Sequence, residues 1–393
     1  MNAPESTGNR TGGGFRSIGG ALARDAGPLF LVRVAGALTN FAVLLLLVYR
    51  LPEGDVGLYY FLVNLWNILN VLIDFGGDPI ATREIARHPG REGAILRDFL
   101  LAKAWLSGLG MAVFLVVVLS LVDDRAYRAS FLLTLLALPG FYLGGFSVMF
   151  RVRHQMRWPA LALLIGQIVF GLGSFAGLFA FESDPARFRA LAIAFTAGAL
   201  SGGVLIHQLA RRRLPRPGGS DRSERGALGF LRECWPQGVA ALACILYFYV
   251  DTLMLKALAG DAQAGYYNAV FRLLNFFIYA AGVISISVMP VLAREVAVNP
   301  GRFRDVFRST FTLLLLLAVP IGATGLALAS ELMTFLYRER MSAYGVAVPT
   351  LRVLLAAGVF TFGGALASTT IVAARRQGLW TVVAITGLGV NVG

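Results

Sequence analysis

The sequence predicts an all-α integral membrane protein made of two parallel pseudo-repeat six-helix lobes, with about eleven transmembrane helices present. Three observations predict it: the composition, the spacing of apolar runs, and one stretch that occurs twice. Of 393 residues, 57% are hydrophobic and only 15% are charged, where soluble domains carry about 25% charged residues. Apolar runs of ~20 residues, the length that crosses a bilayer, follow one another along the chain. The duplicated stretch covers 57–90 and 265–301. Pro79, Arg83, Glu84, Ala86, Pro89 and Gly90 recur in register as Pro290, Arg294, Glu295, Ala297, Pro300 and Gly301. Gly57, Tyr59 and Asn67 recur as Gly265, Tyr267 and Asn275, at a spacing three residues shorter, which sets Asn64 opposite Arg272. An internal repeat of this length means two related halves.

The elements follow in order. Residues 1–27 are Gly-rich and polar and read as a cytoplasmic tail, not a cleaved signal peptide. Spans are expected near 28–49, 58–80, 99–121, 129–150, 159–181 and 190–210, which make the first lobe, 28–210. Residues 211–235 begin R-R-R-L-P-R-P-G-G-S and read as a cytoplasmic linker. The second lobe, 236–393, carries spans near 236–258, 265–290, 309–329, 347–373 and 379–393. A six-span repeat calls for a twelfth span beyond Gly393, so the C-terminus reads as truncated. Alternate loops hold about three times as many basic residues as the others, which places the basic side in the cytoplasm together with the N-terminus. Spans two and eight then run in the same direction, as parallel copies must.

The net charge of +13 is explained by that loop asymmetry rather than by nucleic acid. Two cysteines and three scattered histidines give no disulfide framework, no metal site and no cofactor site. The chain has two lysines, neither in a phosphate-binding G-x-x-x-x-G-K-[ST] loop, and no nucleophile elbow or zinc-protease motif. No enzymatic activity is expected.

Charges and amides inside the spans are the candidate functional residues, because a charge at mid-bilayer costs ~3 kcal/mol or more. Arg33, Asp74, Asp251 and Arg272 lie deep, whereas Lys103, Lys256 and Arg352 lie near span ends and are expected to snorkel. Asn64, Asn67, Asn70, Asp74 and Asp78 fall within an arc of about 120° if span two is one helix. Asn268, Arg272, Asn275 and Tyr279 form a matching stripe on span eight. Arg33, Asn67, Asn70, Asp74, Arg272 and Asn275 are therefore candidate cavity residues. Asp251 is a candidate cation or proton site, with a fixed salt bridge to Arg33 or Arg272 as the alternative. Pro79 and Pro290 are expected to end their helices.

Four stretches resemble the polysaccharide flippase branch of the MOP (multidrug/oligosaccharidyl-lipid/polysaccharide) exporter superfamily. They are L-P-E-G-D-V-G-L-Y-Y at 51–60, D-T-L-M-L at 251–255, G-D-A-Q-A-G-Y-Y-N-A at 260–269 and M-P-V-L-A-R-E at 289–295. The resemblance implies a bacterial cytoplasmic-membrane transporter whose two lobes enclose a cavity that opens alternately to each side. It implies export of a lipid-linked oligosaccharide, an undecaprenyl-diphosphate repeat unit, with membrane lipids, a polysaccharide polymerase and glycosyltransferases as partners. A cation-coupled multidrug antiporter and a lipid II flippase are rivals from the same superfamily. A membrane-embedded glycosyltransferase or polymerase is the rival from another class.

Overall fold

The computed structural model describes the backbone of residues 11–214, 226–374 and 376–392, and every element among them is helical. The first half runs α1 (Thr11–Arg50), α2 (Glu53–Asp74), α3 (Gly77–Arg87), α4 (Glu92–Leu121), α5 (Arg125–Leu133), α6 (Leu138–Gly144), α7 (Ser147–Val152), α8 (Arg157–Ala180) and α9 (Asp184–Arg213). The second half runs α10 (Gly226–Ala259), α11 (Asp261–Val298), α12 (Pro300–Ala327), α13 (Ala329–Tyr337), α14 (Met341–Tyr344), α15 (Val348–Ala373) and α16 (Gln377–Val392). Nine helical segments among the described residues are long and apolar enough to cross a bilayer. Beside them stand α11, of 38 residues, and the shorter apolar α16, of 16. Leu172, Leu316 and Phe360 are exposed on the outer faces of such helices, as lipid contact requires.

Helix α1 begins at Thr11, inside the expected polar tail. Phe15, Ile18 and Leu22 fall at helical spacing in that stretch, which lets the helix extend the first span beyond Pro28. Residues 1–10 lie outside the described part. At the expected linker, α9 runs through Arg213 and α10 starts at Gly226, with 215–225 outside the described residues. Loop ends are capped where the sequence provides for it. The Asp124 carboxylate accepts from Ala126 N at 2.6 Å and begins α5. The Asn299 side chain accepts from Arg302 N at 3.1 Å and, with Pro300 following, begins α12.

The two copies of the repeat differ at one point. The first copy breaks after Asp74, where Phe75 (φ 44°) and Gly76 (φ 72°) are both left-handed. The second runs without interruption from Asp261 to Val298. Two expectations are corrected by this break. Asp78 sits on α3, so the polar stripe of α2 ends at Asp74. Pro79 lies in the first turn of α3 rather than at a helix end, a place where its missing N–H costs nothing. Helix α11 likewise continues past position 290. The three residues gained by the second copy come close to one helical turn, which keeps the unbroken helix in phase.

Helices α2 and α11 cross where the repeat-equivalent residues Gly57 and Gly265 meet. A Cβ at Gly57 would lie 1.9 Å from the Asp261 carbonyl oxygen, and one at Gly265 would lie 2.3 Å from that of Glu53. Only glycine permits this approach of two backbones. Equivalent residues touch only near the axis that relates their copies, so the crossing marks the pseudo-two-fold axis.

The core is continuous across both halves at this end. Tyr59, Phe61, Trp66, Phe114 and Phe131 pack in one buried cluster with Tyr337, Tyr344, Leu351 and Leu355. At the opposite end the core divides. Phe75, Ile80, Phe99, Met149, Phe230 and Cys234 form one cluster, and Ala281, Leu292, Leu314, Phe362 and Leu366 form another, drawn from α11, α12 and α15. The halves are thus fused at the Gly57 end, whereas at the Asp78 end α10 packs on the first half and α11, α12 and α15 form a separate core.

Candidate substrate cavity

The fused and divided ends are separated by a polar centre on α2, α10 and α11. Asn64, about two turns along α2 from Gly57, donates from Nδ2 to Thr252 Oγ1 at 2.9 Å and to Asn268 Oδ1 at 3.1 Å. Asn268 donates to Thr252 Oγ1 at 3.2 Å and to the Ala264 carbonyl at 2.8 Å. All three side chains are buried. The sequence signal for Asn268 was its place on the stripe of span eight. Thr252 carried no signal beyond standing next to Asp251.

Arg272 closes this network. Its guanidinium donates to Asn64 Oδ1 at 3.0 Å and lies over the Tyr60 ring, 4.5 Å from the centroid. Its Nε is buried and has no hydrogen-bond partner among the described residues, and no carboxylate there lies within ion-pair distance of it. Arginine keeps its charge in any protein environment and presents donors in a planar fork. A half-buried guanidinium held by one amide and one ring, with a donor to spare, is an incomplete anion site.

Further along the same faces, Asn67 and Asn275 are half-buried and make no side-chain hydrogen bond among the described residues. Asn70 donates to the Trp66 carbonyl of its own helix at 3.0 Å. Trp66 is fully buried and donates from Nε1 to Thr134 Oγ1 at 2.8 Å. The side chain of Tyr279 lies outside the described residues. Arg33 is not brought to this centre. It is exposed on α1, on the side opposite the exposed apolar Leu31, Val34 and Leu38, and shares its face with exposed Asn40. Helix α1 therefore has an apolar outer face and a separate polar one.

Three further charges lie in the spans, and two of them, Lys103 and Lys256, depart from expectation. Asp251 pairs with neither Arg33 nor Arg272; its Oδ2 accepts from the Tyr267 hydroxyl at 2.8 Å. It lines a cleft of about 640 Å³ between α10 and α16, with Tyr247, Thr386 and Asn391 among the lining residues. Lys103 and Lys256 do not snorkel. Lys103 is buried with its ammonium 3.7 Å from Asp74 Oδ1. Lys256 is buried against Asp261 and over the Phe61 ring. Each lies one helix away from an acid that neutralises it, and pairing across the bundle is better than exposing the stem.

The fold has known counterparts. The family model for "Polysaccharide biosynthesis protein" matches residues 22–296, and the MatE model matches residues 236–393. No curated protein matches the chain. Among solved structures, it is similar to an inward-facing multidrug resistance MATE family transporter of the MOP superfamily. The TM-score is 0.67 at 14% identity, over 90% of this chain and 87% of that one. An outward-facing conformation of such a transporter gives 0.60 at 15% identity, over 93% and 84%. A MOP superfamily transporter from Pyrococcus furiosus, described by the reverse polarity of its binding pocket, gives 0.64 at 14% identity, over 93% and 84%. The fold is the all-helical, multi-pass fold of these transporters. The chain belongs to the polysaccharide biosynthesis protein family, among the membrane transporters of the MOP superfamily.

Proposed function

We propose that the protein moves a lipid-linked oligosaccharide across the cytoplasmic membrane for polysaccharide export, with Arg272 as the contact for its diphosphate or acidic sugars. The observation that carries this reading is the buried, unpartnered Nε of the Arg272 guanidinium at the junction of the two halves. Unpartnered sugar hydroxyls cost several kcal/mol each in hydrocarbon, so unaided crossing is negligible. A polar seam formed by Asn67, Asn70, Arg272 and Asn275 can hydrogen-bond the glycan while its lipid chain stays in the bilayer. Arg33 and Asn40 form a separate polar face on α1. Residues 28–210 and 236–393 act as the two moving lobes, joined by 211–235.

The basic loops place the Asp78 end and the N-terminus in the cytoplasm. The fused Gly57 end is then the outer gate, closed, and the divided cytoplasmic end is the entrance. The higher similarity to an inward-facing relative supports the same assignment. Asp251, held by Tyr267 beside a cleft, is the cation-coupling candidate of the second lobe.

The test is translocation of a fluorescent undecaprenyl-diphosphate oligosaccharide in proteoliposomes, read by a membrane-impermeant quencher. Wild type exposes the label and Arg272→Ala does not. A wild-type protein that leaves the label inaccessible overturns the reading. The MatE match over the second half favours one alternative, a cation-coupled multidrug antiporter. Efflux of a cationic dye that survives Arg272→Ala is the result that selects it.

A further inference from the structure

Asp98, in the second turn of α4, is only 4% exposed. Its carboxylate has no hydrogen-bond donor and no cation at ion-pair distance among the described residues. Buried ionised groups in native proteins have a partner, because an unpaired one is costly to desolvate. The Asp98 side chain lines a cavity of about 50 Å³ with Glu84 of α3, Arg91 of the turn before α4, Ile95 of α4, and Phe230 and Glu233 of α10. The other two acids are already held. Glu84 has Arg83 at 3.3 Å and Arg87 and His88 at 3.8 Å, and Glu233 has Arg83 at 2.5 Å. Arg91 is exposed and makes no ion pair among the described residues. The cavity thus offers one buried anion, Asp98, and one cation, Arg91, at its rim.

Its depth and its surroundings point to the bilayer. Helix α4 is long and apolar enough to cross a membrane, and its apolar run begins at Phe99, directly after Asp98. Asp98 therefore stands at the level of the lipid headgroups. Leu101 and Trp105, three and seven residues further on, share its face of the helix and are exposed. The face that carries Asp98 continues as an apolar surface along which acyl chains can lie.

Size and bonding select the headgroup. A carboxylate only accepts hydrogen bonds, and a primary ammonium brings three donors. Such a group is about as large as a water molecule, which takes about 30 Å³ in the liquid, and fits the cavity. A quaternary ammonium has no N–H to donate and carries three methyl groups besides. A metal ion needs several ligands at once, and no group of three His, Cys, Asp or Glu among the described residues could hold one.

We propose that this cavity binds the headgroup of an aminophospholipid, its primary ammonium donating to Asp98 and its phosphate lying against Arg91. The bound lipid bridges α3 and α4 of the first half to α10 of the second. The site is separate from Arg272 and Asp251, and it does not depend on which cargo the protein moves.

The test uses the full chain, purified in detergent and stripped of lipid. Phosphatidylethanolamine and phosphatidylcholine with the same acyl chains are added in turn, and bound lipid is counted by native mass spectrometry. Wild type is expected to hold phosphatidylethanolamine at least about tenfold more tightly, the worth of one charged hydrogen bond. Asp98→Asn removes that preference, and Asp305→Asn, at an exposed site on α12, keeps it. Equal binding of the two lipids by wild type overturns the proposal with no variant needed. So does a preference that survives Asp98→Asn. Soluble phosphoethanolamine serves as a separate arm. Its competing with the bound lipid supports recognition through the headgroup, and its binding to a chain that shows no lipid preference overturns the assignment to a lipid.

Discussion

Asn64 and Arg272 hold the same position in the two copies of the repeat, 208 residues apart, and they are hydrogen-bonded to each other at 3.0 Å. The symmetry of the duplication is broken where it matters most. One copy contributes a neutral amide and the other a fixed cation, so the axis between the halves carries a net positive charge.

Arg272→Ala is expected to reduce glycolipid translocation at least about tenfold while membrane insertion stays normal, since a charged hydrogen bond in a dry site is worth about 1.5–3 kcal/mol. Arg272→Lys retains the charge but not the fork, and should fall between the two. Rates in proteoliposomes at matched protein levels check this.

Gly57→Val is expected to wedge the crossing apart. The added Cβ meets backbone rather than a movable side chain, and overpacking of this kind costs about 1–3 kcal/mol. Gly282→Ala in α11, which meets nothing within 4 Å, should be neutral or stabilising by up to about 1 kcal/mol. Thermal denaturation in detergent compares the two.

Phe75 gives a prediction with an inverted order. Phe75→Ala removes a ring that is only 7% exposed, costing about 3–5 kcal/mol. Phe75→Gly removes the same ring but relieves the left-handed backbone at φ 44°, worth about 1 kcal/mol. The glycine variant should therefore melt above the alanine variant, the reverse of their order within a helix.

Arg83 and Glu233 join α3 to α10 at 2.5 Å, with side chains 44% and 28% exposed. Exposed pairs of this kind are worth about 0.2–1 kcal/mol. A double-mutant cycle with alanine at both sites should return a coupling in that range, shrinking as salt is raised. A coupling of zero at low salt removes the pair as a tie between the halves.

The fold was legible because bilayer-length apolar runs and a long duplication are properties of the chain itself. Arg272 and Asn64 were legible for the same reason, as polar residues at matched positions inside apolar spans. The break after Asp74 was not. Phe75 carries no left-handed preference, and only its fit over Gly238 from a distant helix pays for that conformation. Lys103 and Lys256 were misjudged because depth along a span does not reveal an acid on the neighbouring helix. Asn268 and Thr252 became visible as a pair only once α10 and α11 were placed side by side.

The backbone contact of Gly57 with Gly265 acts as a fulcrum. Helix α2 runs on from it to Asp74, 17 residues further, a lever arm of about 26 Å at 1.5 Å per residue. A tilt of about ten degrees there hardly disturbs the glycines but swings the far tip by about 5 Å. In the proposed transport cycle, modest rocking at one face of the membrane is thereby geared up into a doorway at the other.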